Sequence, residues 1–349
     1  MEPVTHFLTG ACLGRAGLNR KTALATLTMT LAAEAPDIDI LGIAKGNVFY
    51  FAHHRGFTHS FLGLILVNTA VLALVYVLWT LTGRKLRNPD VPPRWGLLFA
   101  MAYVAGLTHL LLDFSNSYGV RPFWPISERW YSWDVVFIVD PIILVLLVGG
   151  LVLPKLFSLI NEEIGVRRKG PPGRIAALIA LSGVLLYWGF RDYEHRRAVN
   201  ALNARTYEGD NAIRSSAYPD MSNPFRWVGV IETEAFYANM LIDSQTPEVD
   251  PAGRMRIRYK APETPVTLAA KKTYLGQIYF DWGQYPIAEA EPLEQGSGYL
   301  VRFIDLRYQD PEHPATNRLS ATVELDGNLQ VVSESVGPRS ERGGNRAGR

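Results

Sequence analysis

As far as about residue 192, the chain alternates long apolar runs with short polar breaks, and then its character changes. Residues 61–82 are apolar apart from Asn68 and a few hydroxyls, long enough to cross a bilayer, which takes about 20 residues. Residues 95–112, 135–153 and 175–190 are three further runs, the last ending in Tyr187 and Trp188, a pair suited to the membrane interface. One such run can be a buried helix of a soluble protein; four in succession predict a polytopic membrane domain. Before them, residues 7–14 and 22–33 are apolar but too short to span comfortably, and Arg15, Arg20 and Lys21 lie between them. That pattern predicts a helical hairpin dipping into the membrane, with its basic turn on one side.

After residue 192 the period changes. A short charged helix is expected over 193–202. Strand-like alternation follows at 227–238, 254–259, 275–282, 299–308 and 320–325, broken by Pro, Gly, Asn and Asp. Asp326-Gly327-Asn328 reads as a hairpin turn before 329–332. The fold class expected is an α-helical polytopic membrane domain (1–192) followed by a mainly antiparallel β extramembrane domain (193–336). A Gly/Arg-rich tail, 337–349, is expected to be disordered.

Charge orients the membrane part. The breaks at 83–94 (Arg84, Lys85, Arg87, Arg94) and 155–174 (Lys155, Arg167, Arg168, Lys169, Arg174) are basic, whereas 115–134 carries only Arg121 and Arg129. Positive residues stay in the cytoplasm. Residues 36–60, 115–134 and the chain after Phe190 are then expected outside, on the extracytoplasmic side of a bacterial inner membrane. The N-terminus lacks the basic stretch of a signal peptide, so insertion is expected to rest on the internal spans. A net charge of +2 gives no case for a nucleic-acid partner. The single cysteine, Cys12, excludes a disulfide framework and a cysteine-rich zinc site.

The candidate chemistry gathers at that outer face. His53-His54-Arg55-Gly56-Phe57-Thr58-His59-Ser60 places three imidazoles and a guanidinium directly before the first long span. His6 opens the N-terminal hairpin, and Asp37 and Asp39 close it; on an extended backbone two carboxylates at i and i+2 point the same way. His109 and Asp113, four apart on a helix, share one face, a spacing that lets two side chains grip one ion. Asn116, Ser117, Asp134 and Asp140 complete the set. Plainer roles exist for some members: Asp37 as a helix cap, Asp140 as the cap of the third span, His54 as a solvated neighbour of His53. Ionisable groups at membrane depth are costly and mark functional sites. The metal candidates are His6, Asp39, His53, His54, His59, His109 and Asp113. His and Asp ligands without cysteine suit Zn²⁺, with Mn²⁺ or Fe as alternatives, and their number leaves room for two ions. Asp37 is the candidate general base, and Arg55 the candidate grip for an anionic group.

The order Thr5-His6 with Gly10, Pro36-Asp37-Ile38-Asp39, His54-Arg55-Gly56-Phe57-Thr58-His59-Ser60, and His109-Leu110-Leu111-Leu112-Asp113 followed by Tyr118-Gly119 resembles the YdjM-type inner-membrane proteins, a family of metal-dependent hydrolases. The resemblance covers roughly residues 1–150 and implies a polytopic bacterial membrane protein with a bound divalent metal and hydrolase activity. The function expected is metal-activated hydrolysis of an ester or phosphoester in a lipid-linked or other anionic envelope substrate, with membrane lipid as partner. Two alternatives compete: a non-enzymatic metal-binding protein or transporter, and a membrane anchor for the β domain with a structural ion. A transporter favours midplane charges and internal symmetry, and the sequence shows neither.

Overall fold

A computed structural model describes residues 1–82, 91–163, 173–293, 298–309, 311–312 and 319–337. The basic residues Arg84, Lys85, Arg87, Arg167, Arg168 and Lys169, and the tail from residue 338, lie outside the described residues. The chain divides into two compact units.

The first unit comprises Met1–Ile40, Arg55–Arg196 and Tyr218–Phe225. It opens with α1 (Pro3–Arg15) and α2 (Ala25–Glu34). The Glu2 carboxylate accepts the Thr5 N–H and Pro3 occupies the first turn, both favourable helix starts. At about 1.5 Å per residue neither helix can cross the roughly 30 Å hydrocarbon layer. The two pack closely through glycines: a Cβ at Gly10 would lie 2.6 Å from the Met29 carbonyl oxygen, and one at Gly14 2.5 Å from the Thr26 Cα. Small residues that let backbones approach are the usual device for helix pairing in lipid.

Among the described residues, four helices are long and apolar enough to span: Phe61–Thr82, Trp95–Phe114, Pro141–Leu159 and Arg174–Asn203. They belong to α4 (Phe61–Thr82), α5 (Trp95–Phe114), α6 (Pro141–Glu163) and α7 (Arg174–Asn203). The α6 window has a mean hydropathy of 2.4 yet only 22% of it is buried. A soluble protein does not expose that much apolar surface, so lipid is the surrounding that fits. Gly150 and Ala180 bring α6 and α7 together, and Gly106 of α5 sits against Asn68 and Leu64 of α4. Asp140 caps α6, accepting the Ile142 and Ile143 N–H groups at 3.0 and 3.2 Å, and takes the Tyr187 hydroxyl at 3.1 Å. The span expected at 175–190 and the charged helix expected at 193–202 are one continuous α7, so residue 192 falls inside a helix.

The second unit comprises Leu41–His54, Arg197–Ala217 and Arg226–Arg349. It contains α3 (Asn47–His53) and two antiparallel sheets. The first sheet runs β1 (Arg214–Pro219), β2 (Arg226–Glu232), β3 (Phe236–Asp243) and β4 (Glu248–Val249), with β5 (Arg256–Tyr259) also on β3. The single strand expected at 227–238 is in fact a hairpin, with Trp227 opposite Ile242. It turns where the Thr233 hydroxyl accepts the Phe236 N–H at 3.1 Å. The second sheet runs β6 (Pro286–Pro292), β7 (Gly298–Asp305), β8 (Ala321–Asp326) and β9 (Val331–Val336).

The strand expected at 275–282 is a helix. Between the sheets in sequence lie α8 (Pro265–Lys271) and α9 (Tyr274–Trp282). Leu275, Tyr279 and Trp282 are buried at helical spacing, and the Thr273 hydroxyl caps α9 by accepting the Gly276 N–H at 3.1 Å. Its aromatic residues suggested a strand; the cap and the 4-then-3 spacing specify the helix.

Candidate metal centre

Four side chains from three separate segments converge. Asp37, His59, His109 and Asp113 each offer one ligand atom, and these atoms all lie within 4.8 Å of one another. His109 and Asp113 face inward from α5, one turn apart. His59 ends a short 3₁₀ turn, Phe57–His59, that leads into α4. The Ser60 hydroxyl closes that turn by donating to the Phe57 carbonyl at 2.8 Å and accepting the Gly63 N–H at 2.9 Å. Gly63 is required there, because a Cβ would run into the Phe57 carbonyl oxygen.

Asp37 and Asp39 lie on a 3₁₀ run, Ala35–Lys45, and not on the extended backbone expected. At three residues per turn, i and i+2 diverge. The result is a bracket around one ring: Asp37 Oδ1 lies 3.3 Å from His59 Nε2, and Asp39 Oδ2 lies 3.4 Å from His59 Nδ1. The Thr58 hydroxyl also meets Nδ1, at 3.0 Å.

The ligand atoms are close enough together to share one ion. His59 Nε2 to His109 Nε2 is 3.0 Å; His59 Nε2 to Asp37 Oδ1 and to Asp113 Oδ2 is 3.3 Å each; His109 Nε2 to Asp113 Oδ2 is 3.4 Å and to Asp37 Oδ1 3.6 Å. Ligand bonds of about 2.0–2.2 Å to a tetrahedral ion give edges of about 3.3–3.6 Å, a range that four of these five separations meet. The protonation pattern agrees. His109 Nδ1 donates to the Ala33 carbonyl at 2.6 Å, and His59 Nδ1 faces Asp39, so both Nε2 atoms turn bare lone pairs toward the centre. Outer oxygens that fix the tautomer in this way are characteristic of metal-binding histidines. Asp113 Oδ2 is buried without a hydrogen-bond partner, an expensive state that a cation relieves. The residues present therefore fit a divalent ion.

A proton is the alternative occupant. Burial acts to lower the His59 pKa, but the hydrogen bonds and charges of Asp113, Asp37 and Asp39 outweigh it and the net shift is upward. Burial acts in the opposite sense on Asp37, yet the His59 and His109 rings hold its carboxyl well below the usual carboxylate range. The cluster thus suits one cationic occupant, ion or proton.

The second Asp113 oxygen has other partners. Oδ1 takes the Arg55 guanidinium at 2.8 Å, contacts the Met1 amine, and lies 3.4 Å from His6 Nε2. His6 is buried, with its ring stacked on His109 at 3.8 Å. Arg55 also donates to Asn116 Oδ1 at 3.2 Å and the Gly119 carbonyl at 3.1 Å, and lies over the Tyr118 ring. Its guanidinium is buried, and its terminal nitrogens hold Asp113, Asn116 and Gly119. His53 and His54 are not in the four-residue group. His53 is exposed, stacks on Phe49 and donates to the Phe49 carbonyl at 2.9 Å; His54 lies against Tyr50. Both close α3, which folds with the other unit.

Sequence reasoning missed three contributors. Thr58 had a signal, being the hydroxyl next to His59. The Ala33 carbonyl had none, since every residue carries one, and neither did the Met1 terminal amine, which no side-chain motif marks. Glu34, at the end of α2, was also passed over; burial and then the nearby Asp37 charge push its carboxyl up to about 7.

Comparison with known proteins places this geometry in context. Residues 1–198, more than half of the chain, match the YdjM inner membrane protein family. The chain is 25% identical over 346 residues to YfhP of Bacillus subtilis (strain 168), an uncharacterized protein, covering 97% of this chain and 95% of the relative. No solved structure matches the chain. All four cluster residues fall within the family match, and the chain belongs to the YdjM inner membrane protein family.

Proposed function

We propose that the protein is a membrane-bound, metal-dependent hydrolase acting on an ester or phosphoester of a lipid-linked or other envelope substrate. The observation that carries this is the convergence of Asp37, His59, His109 and Asp113, whose ligand atoms lie within 4.8 Å of one another, with three of the four fully buried and Asp37 partly exposed. Zinc suits this donor set best. When bound, such an ion supplies Lewis acidity and acidifies water toward neutral pH.

The chain's own residues divide the remaining work. His59, His109 and Asp113 would hold the ion from the buried side. The Asp37 side chain, 22% exposed, is the member of the group that solvent reaches, so it would hold the ion at its open side and could orient water there. Asp39 and the Ala33 carbonyl fix the two ring tautomers. Arg55 pairs with Asp113 and aims it. The basic breaks at 83–94 and 155–174 support an extracytoplasmic site.

One observation favours the non-enzymatic alternative: four protein ligands already satisfy a tetrahedral ion, as in structural zinc sites. The partial exposure of Asp37 weighs against it. The deciding experiment is metal analysis of detergent-purified protein together with an esterase and phosphatase substrate screen, run on wild type and His59→Ala. The expected result is about one ion per chain, hydrolysis by wild type, and loss of both ion and hydrolysis in the variant with near-normal membrane insertion. Unchanged hydrolysis in His59→Ala would sink the catalytic assignment. A variant that no longer accumulates points to a structural ion.

A further inference from the structure

The cluster and its supports lie in the membrane unit, but the chain between Ile40 and Arg55 does not: Leu41–His54 folds with the C-terminal unit. Within that unit α3 is anchored by Phe51, which is 5% exposed. Its ring meets Trp282 edge-on at 5.2 Å and stacks on Tyr279 at 6.0 Å, both on α9. Those two are core residues themselves: Tyr279 packs on Phe303 at 5.7 Å and Trp282 stacks on Tyr308 at 5.6 Å. α3 is therefore part of the C-terminal core.

The two ends of this excursion are tied to each other and to the cluster. The Arg55 backbone N–H donates to Asp39 Oδ2 at 2.9 Å, closing the neck. The same Asp39 oxygen faces His59 Nδ1, and the Arg55 guanidinium holds Asp113. The neck residues are thus the supports of two of the four cluster residues. Asp39 lies two positions before Leu41, and Arg55 directly follows His54. Consecutive Cα atoms stand 3.8 Å apart, so the neck has almost no slack. Arg55 also holds φ at +54°, a left-handed conformation that a non-glycine residue keeps only where its surroundings impose it.

We propose that Phe51 is a positioning residue for the metal centre: by seating α3 in the C-terminal core it fixes the Asp39–Arg55 neck, and through it His59 and Asp113. This rests on reading the cluster as a metal site. The C-terminal domain then sets the affinity of a centre to which it contributes no ligand.

The test uses the full-length, detergent-purified protein. Zn²⁺ titration reads affinity, and hydrogen–deuterium exchange of segments 36–40 and 55–60 in metal-free protein reads the neck without an ion. Phe51→Ala is expected to lower Zn²⁺ affinity by at least about tenfold, the scale of losing an outer-shell support, and to speed exchange in both segments. Phe51→Leu is expected to recover most of each. Trp227→Leu, a change in the buried core of the first sheet, is the control expected to move neither readout. Unchanged affinity and exchange in Phe51→Ala, or equal changes in Trp227→Leu, overturn the proposal. If Phe51→Ala does not accumulate, Phe51→Val against Phe51→Leu carries the same comparison, with graded change supporting and identical values overturning. Wild type that binds no Zn²⁺ defeats the metal reading, while the exchange comparison still decides the role of Phe51.

Discussion

His59 and His109, fifty positions apart, bring their Nε2 atoms to 3.0 Å of each other. The far nitrogen of each ring is engaged by oxygens from a third stretch of chain or beside it: Ala33 for His109, Asp39 and Thr58 for His59. Two bare lone pairs that close repel unless a positive charge sits between them. That relationship is what suits the cluster to a cation, and the unequal burial of its four residues would give them unequal roles.

The first prediction separates the buried ligands from the exposed one. His109 is fully buried, so its loss leaves a gap that water reaches poorly. Asp37 is partly exposed, and water can stand in for its oxygen. His109→Ala should reduce Zn²⁺ affinity by more than the roughly 10–100-fold typical of an outer-shell change. Asp37→Ala should cost less affinity but more turnover. Zn²⁺ titration with a substrate that wild type cleaves checks both; equal losses of affinity in the two variants would contradict the assignment.

Asp113 carries a different burden. Its carboxylate neutralises the buried Arg55 guanidinium. Asp113→Ala should therefore destabilise the protein by about 3–5 kcal/mol, the usual cost of leaving one partner of a buried ion pair alone. The companion variant, Asp113→Ala with Arg55→Met, should recover part of that stability without restoring metal binding. Thermal unfolding in detergent measures it. A double variant no more stable than the single one counts against the pairing.

The pH dependence follows from His59. Its folded pKa is raised above the unfolded value of about 6.5. In metal-free protein the protonated ring contributes stability that is complete below that unfolded value and is lost as pH rises through the folded one. A metal ion competes for the same lone pair, so occupancy runs the other way. Apparent Zn²⁺ affinity should rise with pH through the folded pKa, with a proton released on binding. Isothermal titration in buffers of different ionisation enthalpy reads the proton. Affinity flat between about pH 5 and 8 would remove His59 from the ligand set.

Sidedness gives the last prediction. With four spans after His59 and basic residues at 83–94 and 155–174, the chain after α7 should lie outside the cytoplasm. A reporter active only in the cytoplasm, fused after Asn203, should stay silent. A strong signal would reverse the orientation and move the metal centre to the cytoplasmic face.

The sequence by itself determined what depends on local signals. Four long apolar runs specify spanning helices because bilayer thickness sets their length. His109 and Asp113 share a face because a helix turns every 3.6 residues. The order of motifs pointed to the family. Where a signal was local but mixed, reading went astray: 275–282 looked like a strand until burial of Leu275, Tyr279 and Trp282 showed a helical stripe.

Only the tertiary structure decided which of the many His and Asp residues meet. His53 and His59 lie six residues apart, and nothing local distinguishes them. The 3₁₀ turn aims His59 inward, while His53 closes a helix that belongs to the other unit. Arg55 looked suited to an anion, yet its partners Asp113, Asn116 and Gly119 lie 58 to 64 positions further on. Ala33 contributes a backbone carbonyl that every residue has, and Met1 its terminal amine, which no side-chain motif marks. Periodicity reports which way a side chain faces on its own element; what it faces depends on long-range packing, which no short window of sequence contains.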